Sequence, residues 1–111
     1  MVMDSDCRQY VDRVLSWYLR LPDTPSRASR YDREAAARLY QRRIPLEVIE
    51  SAFLLATARR RLRDPSLTPL APVRSLSYFL QVIEEILATP LPAGYVDYLR
   101  LKLRRTASLA M

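Results

Sequence analysis

The sequence predicts an all-α fold, a compact single-domain bundle of about five helices with the third buried at its centre. Three observations carry this expectation. Apolar residues recur at spacings of three and four through most of the chain, β-branched runs are absent, and glycine occurs once, at Gly94. Prolines at 22, 25, 45, 65, 69, 72, 90 and 92 divide the pattern, because proline lacks an amide donor and disfavours helical geometry in the residue before it. With 111 residues, half of them hydrophobic, residues 1–111 are expected to form one helical domain with a real core.

The first helix is expected from about Asp6 to Arg20, with Asp4, Ser5 or Asp6 as N-cap and Tyr10, Val11, Val14, Leu15, Tyr18 and Leu21 on one face. "PDTPSRAS" forms a loop. Ser29 and Asp32 then have approximately the spacing of a capping box, which opens a second helix running to about Arg43. Its inward residues are Ala35, Ala36, Leu39 and Tyr40. Pro45 suits the first turn of a third helix, "PLEVIESAFLLATARRR", which is apolar nearly all round from Leu46 to Ala58 and so belongs at the centre. After "DPSLTPLAPV", Ser75 can cap a fourth helix bearing Leu76, Phe79, Leu80, Ile83, Ile86 and Leu87 at helical spacing. "TPLPAG" breaks the chain before a last helix from about Pro92 to Arg105, which should bury Val96, Leu99 and Leu103 and leave "TASLAM" as a frayed tail.

Composition narrows the chemistry. Histidine is absent, removing the commonest general base and metal ligand, and the lone Cys7 excludes an internal disulfide and a cysteine-rich metal centre. No cofactor and no metal are expected. Asp32 and Glu47 fall in first turns, where they complement the helix dipole, and Glu84 and Glu85 follow Ile83 on a solvated face. With no phosphate-binding glycine loop and no nucleophile motif, the chain is not expected to be an enzyme. No apolar run reaches the ~18 residues of a membrane span, and the N-terminal residues lack the pattern of a signal peptide. A soluble, cytoplasmic protein without membrane contact is expected.

The net charge of +6 favours acidic partners, nucleic acid first. Arg59, Arg60, Arg61 and Arg63 close the third helix, with Arg74 beyond the loop and only Asp64 among them, a local charge of +4. One or two cations would satisfy a helix terminus, so the surplus suits phosphate. Arg100, Lys102, Arg104 and Arg105 form a second cluster beside Tyr95 and Tyr98, whose rings could stack on unpaired bases. A groove-reading helix-turn-helix at "AAARLYQRRIPLEVIESAF" is disfavoured, because its second helix presents Val48, Ile49, Phe53 and Leu55 rather than polar side chains.

The block from Trp17 to Leu87 resembles the C-terminal domain of the DnaD-like replication proteins. The resemblance lies in Trp17 and Tyr18, Pro25, Leu39, "PLEVIESAF" with Ile49 and Ala52, and "RSLSYFLQVIEEIL" with Tyr78, Phe79, Val82 and Ile83. It departs from that pattern at Ile86, where the family motif tends to end in Trp, and in a longer loop from Asp64 to Val73. The resemblance implies a non-enzymatic DNA-binding or helicase-loader-contacting module of bacterial, phage or mobile-element replication. It points to Arg74, Tyr78 and the basic segment from Arg100 as DNA contacts. The expected function is thus sequence-tolerant DNA binding, single- or double-stranded, through Arg59, Arg60, Arg61, Arg63, Arg74, Tyr78, Arg100, Lys102, Arg104 and Arg105. The competing expectation is a protein-interaction module, such as a homodimer, working through an apolar face near Trp17 or Leu87.

Overall fold

Asp4 accepts a 2.7 Å hydrogen bond from the Cys7 amide and thereby opens the first helix, α1 (Ser5–Arg20). The computed structural model describes the backbone of residues 4–109 and the side chains of residues 4–105. The capping box is present: the Asp32 amide donates to Ser29 Oγ at 3.1 Å and the Ser29 amide to Asp32 Oδ2 at 2.9 Å, starting α2 (Arg30–Gln41). This helix stops two residues short of the expected Arg43. The Arg43 amide turns back to the Tyr40 carbonyl and the Ile44 amide to the Leu39 carbonyl, a Schellman motif with Arg43 at φ 59° in the left-handed position that usually takes glycine. Tyr10 Oη donates to the Ile44 carbonyl at 2.8 Å and fixes this turn to α1.

Pro45 is the residue before α3 (Leu46–Arg61) rather than part of its first turn. The fourth segment differs from expectation. A 3₁₀ turn, Leu76–Phe79, precedes α4 (Leu80–Ala88), and the Ser75 side chain caps neither. The Tyr78 amide, which a serine cap would have engaged, donates instead to the Ser75 carbonyl at 3.2 Å. Further on, α5 (Tyr95–Leu109) starts three residues after Pro92, because Gly94 at φ 82° turns the chain into the helix. The backbone stays helical through Leu109, so fraying from Thr106 is corrected; Ala110 and Met111 lie outside the described residues. No strand occurs among the described residues, and no helix there is long and apolar enough to cross a membrane.

The five α-helices pack as one bundle around α3, which contacts α1, α4, α5 and the 3₁₀ turn. Ile49, Ala52, Phe53, Leu55, Ala56 and Ala58 are buried, as the apolar pattern of α3 predicts. Phe79 is the hub: its ring meets Phe53 edge-on at 4.9 Å and Tyr18 at 6.0 Å, contacts worth about 0.5–1.5 kcal/mol each beyond area burial. Tyr18 is fully buried with no hydrogen bond to its hydroxyl, and burial, helped by the negative charge of Asp32, pushes its pKa up to about 12. Asp32 is itself buried and ties α2 to the 3₁₀ turn, its Oδ1 accepting from the Leu76 amide at 2.9 Å. Trp17 is half-buried against the core, with the Arg13 guanidinium 5.9 Å from its ring.

α5 lies antiparallel to α3: Arg100 pairs with Glu50, while Tyr95 and Tyr98 share a groove with Ala58, Arg59 and Leu62. Of the residues expected to be buried here, Leu99 is, whereas Val96 and Leu103 remain half-exposed. The difference follows from α5 packing chiefly on one helix, so that only a narrow stripe is covered.

Candidate nucleic-acid interface

The last turn of α3 lies where two proline-bearing loops meet. The Val73 amide donates to the Asp23 carbonyl at 2.8 Å, joining the loop after α1 to the loop after α3. Asp23 holds φ 62°, a left-handed conformation that Asp tolerates better than most residues. The arginines of α3 divide by burial. Arg60 follows Phe53, Ala56 and Thr57 on the inward side and its side chain is only 11% exposed. Arg61, one residue on, faces solvent.

Arg60 is committed within the protein. Its Nη2 donates to the Ala71 carbonyl at 2.8 Å and lies 3.6 Å from Asp23 Oδ2. Its Nη1 donates to Tyr78 Oη at 3.2 Å, and the guanidinium sits 5.4 Å from the centre of the Tyr78 ring. Such charge-assisted bonds fasten the long loop to the helix. Arg63 does similar work, donating to the Thr68 carbonyl at 3.1 Å, while its buried Nε has no hydrogen-bond partner. Arg59 pairs with Glu85 at 2.8 Å, and that hydrogen bond holds the Glu85 carboxyl below its ordinary pKa. Arg60, Arg63 and Arg59 thus hold the fold together, a structural role that their place in sequence did not reveal.

The charge at this end is lower than the sequence suggests. Asp23 and Glu85 join Asp64, so five arginines face three carboxylates and the local excess is two. All three carboxylates are engaged: Asp23 by Arg60, Glu85 by Arg59, and Asp64 by the Ser66 amide and hydroxyl. Arg61 and Arg74 are exposed and have no partner among the described residues. Sequence reasoning passed over Arg20, likewise exposed and unpartnered in the last turn of α1, two residues before the Pro22 that borders the same recess as Arg61. Its signal was a helix-terminal cation too ordinary to single out.

Tyr78 is 44% exposed, with one neighbour in Arg60 and another in the edge of Phe79, so it presents ring surface to solvent. On α5, Arg100 is held by Glu50 and Asp97, and Lys102 Nζ donates to Tyr98 Oη at 3.2 Å. Tyr98 is exposed and Tyr95 half-buried beside it. Arg104 and Arg105 are exposed. Because α5 runs antiparallel to α3, Lys102 shares a groove with Arg59, whereas Arg104 shares a recess with Leu54, nearer the middle of α3. The ten predicted positions therefore lie as a cluster at the end of α3 and a strip that leaves it along α5.

No three carboxylates or cysteines converge as a metal site among the described residues. Comparison with protein-family models, with curated proteins and with solved structures finds no match.

Proposed function

We propose that this domain binds nucleic acid without catalysis, making phosphate contacts through Arg20, Arg61 and Arg74, with Arg104 and Arg105 extending the contact along α5. One observation carries the reading: Asp23, Asp64 and Glu85 at the α3 end are all engaged, while Arg61 and Arg74 there, and Arg20 at the end of α1, are exposed and have no partner among the described residues. That leaves positive charge uncompensated within the protein, a suitable complement to a polyanion. The exposed rings of Tyr78 and Tyr98 offer stacking surfaces if the strand is unpaired. Contacts of this kind give affinity with little sequence information, which suits an accessory role in replication or mobile-element maintenance.

The test is fluorescence anisotropy of labelled single- and double-stranded DNA, titrated from about 50 to 200 mM salt. Binding should weaken steeply with salt. Replacing Arg20, Arg61 and Arg74 together by Ala should reduce the duplex salt slope by about two to three. No binding at the lowest salt defeats the proposal. A second reading, docking of a protein partner, is favoured by the groove between α3 and α5, where Leu62 and Tyr98 stand exposed over Leu55 and Leu99. Such a partner would be perturbed by Leu62→Ser and left unaffected by the triple arginine variant.

A further inference from the structure

Between the last turn of α3 and the loop 64–73 lies a cavity of about 280 Å³. Its walls are of two kinds. Leu67, Leu70, Val73 and Phe79 give it an apolar side, and Arg60, Arg61 and Arg63 give it a cationic one. Thr57, only 8% exposed, adds a hydroxyl from the helix. This is the pattern of small-molecule sites: a mostly apolar hollow with a few polar groups that fix orientation.

The donors are not equally available. Arg60 spends its guanidinium on Ala71, Tyr78 and Asp23. Arg61 has no partner among the described residues. Arg63 uses only its Nη2 in a hydrogen bond, to the Thr68 carbonyl, so the guanidinium groups of Arg61 and Arg63 are the cations of the lining that an anion in the cavity would meet. Asp23 and Asp64 also border the space, so three arginines face two carboxylates and the lining carries one net positive charge. That balance fits a monoanion better than a dianion.

We infer that this cavity binds a small organic carboxylate with an apolar body, its carboxylate received by the guanidinium groups of Arg61 and Arg63 and its hydrocarbon or aromatic part lying against Leu67, Leu70 and Phe79. The site is separate from the phosphate contacts of Arg20 and Arg74, though Arg61 serves both. Because the loop 64–73 forms one wall, occupation would also stiffen that loop.

The experiment is an amide NMR titration of the full chain with 3-phenylpropionate and with octanoate, alongside 3-phenylpropan-1-ol and inorganic phosphate as controls. Both acids should give saturable shifts centred on Thr57, Val73 and Phe79, with the alcohol and phosphate binding at least about tenfold more weakly. Arg61→Gln and Arg63→Gln should each weaken the acids by about tenfold. Thr57→Val, which preserves shape, guards against loss through unfolding and should weaken them several-fold. The inference is overturned if neither acid saturates, if the alcohol binds as well as the acid, if phosphate reproduces the same shifts, or if Arg63→Gln in a folded protein leaves the affinity unchanged. None of these outcomes depends on DNA binding, which the anisotropy experiment tests by itself.

Discussion

Replacing Asp32 by Ala should destabilise the domain by about 2–4 kcal/mol. Asp32 is 3% exposed, and its carboxylate accepts two backbone hydrogen bonds of 2.9 Å, one from Ser29 at the start of its own helix and one from Leu76, 44 residues on. Loss of the first undoes half the capping box, at about 1 kcal/mol. Loss of the second strands the Leu76 amide at a fully buried residue, at about 1–3 kcal/mol for an unsatisfied donor. For a chain of this size that corresponds to a fall in Tm of roughly 8–16 °C. Urea denaturation followed by circular dichroism should show the midpoint shifting with m unchanged. Asp32→Asn keeps one acceptor oxygen and should lose about half as much. Ser29→Ala, which removes only the cap, should cost about 1 kcal/mol. If Asp32→Ala costs no more than Ser29→Ala, the bond between α2 and the 3₁₀ turn contributes nothing and the reasoning is refuted.

Three other outcomes are expected. Arg43→Gly should stabilise the protein by up to about 1 kcal/mol in thermal melts, because Arg43 sits at φ 59° where a side chain is strained. Arg60→Gln should cost about 1–3 kcal/mol and speed amide exchange at Val73, while Arg61→Gln should leave both nearly unchanged; equal effects would contradict the division between the two arginines. At acid pH, hydrogen bonds from Arg42 and Arg59 hold the Glu84 and Glu85 carboxyls below their ordinary value of 4.5. A depressed folded-state pKa means that their stabilisation is present above pH 4.5 and lost as pH falls below it. Stability measured against pH should therefore decline through that range, less steeply in Arg42→Gln and Arg59→Gln.

What could be seen in the sequence was mostly local. The Ser29–Asp32 capping box, the apolar α3 and the breaks at proline depend on neighbours within a few residues, and all appear in the structure. The second bond of Asp32 does not, since it joins residues 44 apart. The same limit governed the candidate site. Arg59 through Arg63 were visible as a cationic run, but Asp23 and Glu85, which neutralise part of it, come from other elements. Helical phase does not separate Arg60 from Arg61, because α3 is apolar nearly all round and Arg61 too follows buried residues, Thr57 by four and Ala58 by three. The 3₁₀ turn had no cue either: serine before an apolar helical pattern reads as a cap whether or not its side chain is used.

The attachment of α5 bears on how the chain acquires its structure and on how it breathes. Its contacts are chiefly with α3, so the first four helices can assemble their shared core around Phe79 before α5 arrives. A segment docked on one neighbour opens at a lower free energy than the rest and behaves as its own cooperative unit. In that opened form the Leu55 and Ala58 side of α3 is uncovered, and the Glu50–Arg100 pair is broken. Opening of α5 would thus carry the basic strip away from α3 while the contacts of Phe79 with Phe53 and Tyr18 are kept.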